Sequence, residues 1–357
     1  MGNAATNALQ RIDVAERPRR CNLGVPLVNH LQTPWSRCPD RGMMVDHRPT
    51  ADNRRLDVRS RAALQWGIHA LSHGDTMRDR IDRIIAKGKP DALVRALDGA
   101  KVHDVRYAAD SLVASTGAKK AVLKQARDLT AGDQPASHHL ACQMIPACYR
   151  LDGLAALRIL LRLADANDWT VRDAAAETTG RLLRENFSDV LDVLHDWRAH
   201  KSPNVRRAVI IAAGRAARSD RPEWADPLLK LLEPLLADGD PNVRRNLGPS
   251  ALGRSLLACY PTIAFEYLLQ WSTSNDAPVL WNVAMAFSGP AAEPIARKAL
   301  IVLRKLSLDE RRAVWRAVAS AMWKLGRRCP EIVRPELMRW LEDERRLNVA
   351  REALKHI

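Results

Sequence analysis

The stretch Ser202-Pro203-Asn204-Val205-Arg206-Arg207-Ala208-Val209-Ile210-Ile211-Ala212-Ala213-Gly214 sets out a helix start followed by an apolar, small-residue face. Proline in the first turn loses no hydrogen bond, because its missing N–H would have had no partner there, and the serine before it caps the free donors. The alanines and the glycine let a neighbouring helix approach closely. Asp240-Pro241-Asn242-Val243-Arg244-Arg245 repeats that start, and Asp104-Val105-Arg106 and Thr170-Val171-Arg172 are shorter versions of it. With the valine as register mark, the series runs Val105, Leu140, Val171, Val205, Val243, Val279, Val314 and Val349, at separations of 31 to 38 residues. A unit of that length holds two helices and two short turns. Second helices such as residues 222–236, with leucines at helical spacing, fill the intervals. The pattern predicts an all-α fold, a right-handed α-solenoid.

The recurring Val-Arg resembles the HEAT repeat family, in which it marks the start of the second helix of each pair. The resemblance covers about 102–357 and makes the predicted solenoid one of HEAT-like helical repeats. Helical periodicity begins at Met77, so the expected organisation is a repeat domain over 77–357 behind a leader over 1–76. The leader carries five prolines and clustered arginines without a sustained period, and is expected to be an irregular or disordered basic arm.

Lys and Arg number 56 against 41 Asp and Glu, a formal charge of +15. The first 75 residues hold 11 and 7 of these, so a surplus of 11 belongs to the remainder. Such a surplus draws polyanions through counterion release and steering, which points to nucleic acid. The other reading of the charge is a set of solvated arginine-rich helices. Six scattered cysteines do not form the dense framework of a small secreted protein. No run of about 18 uncharged apolar residues occurs, so the expectation is a cytoplasmic chain without a membrane span.

In a solenoid, equivalent positions of successive repeats line up along a concave face. Arg172, Arg206, Arg207, Arg244 and Arg245 are then candidates for a row that holds the DNA backbone, together with Arg106. The alternative is that they pair with aspartates of neighbouring repeats. Asp168-Trp169-Thr170-Val171-Arg172-Asp173 is the sharper feature. Trp169 and Asp173 are four apart and share a helix face, so an indole and a carboxylate point into one groove and suit a cationic ligand.

Here the sequence resembles the HEAT-repeat alkylpurine DNA glycosylases of the AlkC/AlkD superfamily, in which a Trp-x-x-x-Asp element precedes an arginine by about one repeat. Asp173 and Arg207 stand 34 residues apart. The resemblance implies a monofunctional glycosylase of DNA alkylation repair, a monomer acting on alkylated duplex DNA with neither metal nor organic cofactor. It makes Asp173 the catalytic carboxylate, Trp169 the substrate-binding wall and Arg207 a phosphate contact. The family's second aromatic wall falls on Pro249; Trp281 and Tyr260 are the candidates to stand in for it. The competing reading is a non-catalytic scaffold that binds a protein partner or a nucleic-acid structure, with Trp169 in the core and Asp173 buried between repeats. His138 and Cys142 share a face but make only two ligands, and Cys21, His30, Cys38 and His47 lack the pairing of a zinc module.

Overall fold

The structure, a computed structural model, describes residues 76–357. Residues 1–75 lie outside it, and with them nearly all of the expected leader and its four Cys and His positions. Among the described residues every regular element is helical. The first, α1 (Met77–Ala86), opens on a capping box. Thr76 Oγ1 accepts from the Asp79 amide at 3.2 Å and the Asp79 carboxylate accepts from the Thr76 amide at 3.1 Å, which satisfies two donors that a helix start leaves free. A short α2 (Pro90–Ala96) follows.

The Val-Arg helices are α3 (Val102–Thr116), α5 (Pro135–Cys148), α7 (Trp169–Glu185), α9 (Pro203–Ala216), α11 (Pro241–Asn246), α13 (Ala277–Ala286), α15 (Arg312–Gly326) and α17 (Leu347–Leu354). Their partners are α4 (Lys119–Asp128), α6 (Gly153–Ala164), α8 (Phe187–Trp197), α10 (Ala225–Leu232), α12 (Pro261–Trp271), α14 (Ala296–Leu306) and α16 (Pro330–Trp340). Each helix of the first series packs on the next, from α3 on α5 through α15 on α17, with residues 247–256, which continue α11, making the contact to α13; this layer forms the spine of an α-solenoid. All eight register residues are buried, Val279 the least at 8% exposure. Each therefore contributes about 1.5–3 kcal/mol of apolar burial, and the period seen in the sequence is the period of the spine.

The tryptophans at helical spacing mostly join the core. Trp197, Trp271 and Trp340 are buried; Trp224, Trp315 and Trp323 are half-buried against the core. Trp340 donates its indole N–H to Glu336 at 2.8 Å, and Arg304 donates to the same carboxylate at 2.7 Å. Those bonds, with Arg339 nearby, allow Glu336 to sit buried.

After α11 the chain widens into a π-helix over Leu247–Leu256. Pro249 has no N–H to give an α-helical ladder and its ring crowds the preceding turn, which favours a looser winding. In an α-helix Gly248 and Gly253 would lie about 140° apart; π-winding turns both toward α13. A Cβ at Gly248 would come within 2.8 Å of the Asn282 carbonyl oxygen, and one at Gly253 would collide with that of Ala286. Asn282, fully buried, closes the contact. Its Oδ1 accepts from the Gly248 amide at 3.0 Å, and its Nδ2 donates to the Leu236 and Pro278 carbonyls at 3.1 Å each.

Candidate active site

Helix α7 starts at Trp169 because Asp168 caps it. Asp168 Oδ1 accepts from the amides of Thr170 at 2.8 Å and Val171 at 3.1 Å, and from the Thr170 hydroxyl. The hydroxyl bond, ahead of the amides, holds Asp168 below the usual carboxylate range. Thr170 has one hydroxyl proton and gives it to Asp168, so at 3.0 Å from His139 Nε2 it must accept. His139 therefore carries its proton on Nε2. Burial pushes its pKa below the ordinary value, which keeps the ring neutral near pH 7.

As the first residue of α7, Trp169 has no preceding turn to pack on, and its side of the helix end is open. It is 65% exposed, so it is not a core tryptophan. Asp173 follows one turn later on the same side. The two line a cleft of about 550 Å³ between α7 and the repeats before it, together with His139, Val102, Asp98 and Glu177. Val102 is itself 60% exposed. Four carboxylates line this cleft, those of Asp98, Asp168, Asp173 and Glu177, and no lysine or arginine does.

On the other side of Asp173 lies a cleft of about 450 Å³ with the opposite character. Arg184, Arg207, Arg215 and Arg254 line it, with Asp173 and Glu177 as the boundary shared by both clefts. Arg207 Nη2 is 2.7 Å from Asp173 Oδ1. That oxygen is shielded from solvent and receives no well-directed hydrogen bond, so the contact is an ion pair held by charge. The Asp173 side chain as a whole keeps 39% of its exposure; it is tied between repeats without being buried there. Arg215 pairs with Glu177, one turn beyond Asp173 on α7, and donates a hydrogen bond to it. Arg254 is exposed and has no hydrogen-bond or ion-pair partner among the described residues. Glu177 escaped the sequence reading, although its spacing of four from Asp173 places it on the same face.

The two arginines of each doublet behave differently. Arg172 donates through Nη1 to the carbonyls of Ala166 and Asn167 at 2.8 and 2.7 Å. Arg206 does so to His200 and Lys201 at 2.9 and 3.0 Å, and Arg244 to Asp238 and Gly239 at 3.3 and 3.1 Å. Each folds back to satisfy carbonyls of the turn before its own helix. Arg206 also donates Nε and Nη2 to Asp238 at 2.6 and 3.1 Å. Those bonds raise the Arg206 pKa, and they hold Asp238 below the usual carboxylate range although burial pushes it up. Arg207 and Arg245, the second members, are turned away from these turns, and Arg245 is exposed.

No aromatic side chain lines the basic cleft. Pro249 lies in the π-helix. Tyr260 is buried, with its hydroxyl accepting from the Arg218 amide at 3.0 Å, and Trp281 lines a separate cleft. His138 bonds the Gly132 carbonyl at 2.6 Å, while Cys142 is fully buried, which pushes its thiol up to about 12.

Residues 92–250, which hold the acidic cleft and most of the basic one, though not Arg254, match the family described as DNA alkylation repair enzyme. Over those residues the chain is similar to that family. The resemblance carried by Trp169, Asp173 and Arg207 and the family match thus fall on the same repeats. No curated protein matches the chain. Among solved structures it is similar to an importin beta (13% identity, 84% of this chain and 46% of that one, TM-score 0.47). It is also similar to smu.31 of Streptococcus mutans UA159 (14%, 79% and 100%, TM-score 0.28) and to an engineered protein (17%, 83% and 90%, TM-score 0.33). The chain thus spans under half the length of the importin beta. No described helix is long and apolar enough to cross a membrane.

Proposed function

We propose that this chain binds duplex DNA and hydrolyses the N-glycosidic bond of alkylated purines. One observation carries the reading: an acidic, aromatic cleft and a basic cleft share Asp173 as their common wall. N3- or N7-alkylation makes a purine cationic, and a cation suits a cleft with four carboxylates, an exposed indole and no basic side chain. A phosphodiester backbone suits the four arginines next door. The reacting sugar then lies between them, at Asp173.

Hydrolysis breaks the C1′–N bond, with its electron pair passing to the purine, which leaves as a neutral base. The sugar gains oxocarbenium character; water adds to C1′ through oxygen and its surplus proton passes to solvent, leaving an abasic site. Asp173 stabilises the positive charge as it develops, and preorganised groups of this kind contribute about 10²–10³ in rate. Trp169 packs on the sugar and the cationic base, and Arg207 holds both a phosphate and Asp173. The neutral His139, donating to Thr170, adds no positive charge to the cleft.

The non-catalytic scaffold reading has its own support in the Asp173–Arg207 ion pair across repeats and in Pro249 at the second aromatic position. The 39% exposure of Asp173 and the open indole of Trp169 favour catalysis. Incubating the protein with methylated duplex DNA and measuring freed bases separates the two: release supports the glycosylase, and binding without release supports the scaffold.

A further inference from the structure

From Val171 onward, the position two residues beyond each register valine carries Asp173, Arg207, Arg245, Trp281, Arg316 and Arg351. One repeat position thus carries a carboxylate, an indole and four guanidinium groups. Trp281 lies outside the residues that match the repair family, so the row outruns the site described above. It lines a third cleft, of about 320 Å³, with Arg244 and Arg245 on one wall, Pro241 and Pro278 beside them, and no acidic residue.

We propose that this third cleft binds one unpaired nucleotide of a nucleic-acid strand, its base stacked on Trp281 and its phosphate held by Arg245. The inference rests on the reading of the row as a nucleic-acid-facing surface, but not on catalysis at Asp173. Three features support it. Trp281 is half-buried, so the indole is fixed by the core behind it while a face remains toward the cleft. Arg245 is exposed without a partner among the described residues, whereas Arg244 has Nη1 committed to backbone carbonyls. The prolines and alanines on the remaining walls offer a flat apolar surface against the other side of a base. An aromatic platform beside free positive charge is how single strands are held with little sequence preference, since every base has a π-face. Arg316, exposed on the next repeat, extends the charge along the strand.

The test compares a fluorescent twelve-nucleotide thymidine strand with a strand of equal length and charge built from abasic units. The full-length protein is expected to bind the thymidine strand about tenfold more tightly, the usual weight of one stacked base. Trp281→Ala removes that preference, Trp281→Phe keeps most of it, and Arg245→Gln weakens both strands alike while lowering the salt slope by about 0.7. Asp173→Asn leaves the preference intact, so loss of base release cannot be mistaken for failure of this site. Equal binding of the two strands by the wild type would overturn the proposal, as would wild-type preference in a folded Trp281→Ala; where Trp281→Ala does not fold, a Trp281→Phe that melts normally yet has lost the preference would overturn it. Competition by free thymidine monophosphate as strong as by the strand would assign the cleft to mononucleotides and overturn the strand.

Discussion

The two clefts on either side of Asp173 share helix α7, yet one gathers four carboxylates around an open indole and the other four arginines. Their difference follows from one repeat offset. Position two beyond the register valine is Asp173 in α7 and Arg207 in α9, so the sign of the surface reverses between adjacent helices. A ligand lying across that boundary must be cationic at one end and anionic at the other. A nucleotide with an alkylated purine has that polarity, which neither plain duplex DNA nor an acidic protein partner shares.

The same comparison runs within the arginine doublets, and it yields the largest expected effect on stability. Arg206 belongs to the framework, with its guanidinium spread over two carbonyls and a nearly buried Asp238. Arg206→Ala is expected to cost about 2–3 kcal/mol of stability by leaving that carboxylate unpaired, somewhat below a fully buried pair, with the salt slope of DNA binding unchanged. Thermal melting and a salt titration check both halves. A smaller salt slope with unchanged melting would place Arg206 on the ligand instead.

Trp169→Ala comes next. An indole stacked against sugar and base is expected to contribute about tenfold to base release, with the melting curve nearly unmoved because the side chain is exposed. Loss of cooperative melting in this variant would return Trp169 to the core. Arg207→Ala acts on the basic side: it is expected to weaken duplex binding several-fold and to lower the slope of log affinity against log salt by about 0.9.

The smallest effect belongs to His139. Its folded pKa lies below its unfolded value of 6.5, so below that pH the unfolded chain binds protons the folded one does not. Its share of stability is present above pH 6.5 and is lost as pH falls from 6.5 through the folded value. His139→Gln should flatten the fall of melting temperature over that window; an unchanged fall would assign it to other groups.

Much of this was legible in the sequence. The register valines gave the repeat count because a buried valine at a helix start leaves a fixed spacing, and the four-residue interval put Trp169 and Asp173 on one face. The placement of Arg172, Arg206 and Arg244 was not, because Nη1 of each is taken up by backbone carbonyls, which carry no residue signature. The π-helix was hidden for a related reason: Gly248 and Gly253 make sense only once residues five apart share a face. The pairing of Asp173 with Arg207 leaves its exposure unstated in any sequence, since that depends on how far apart α7 and α9 stand.

The central claim is that Asp173 is the catalytic carboxylate, and base release from methylated duplex DNA under single-turnover conditions tests it most directly. The wild type is expected to free alkylated purines, and Asp173→Asn to do so about 10²–10³ more slowly, with DNA affinity and melting close to the wild type. A stably folded Asp173→Asn that releases bases at the wild-type rate would contradict the account.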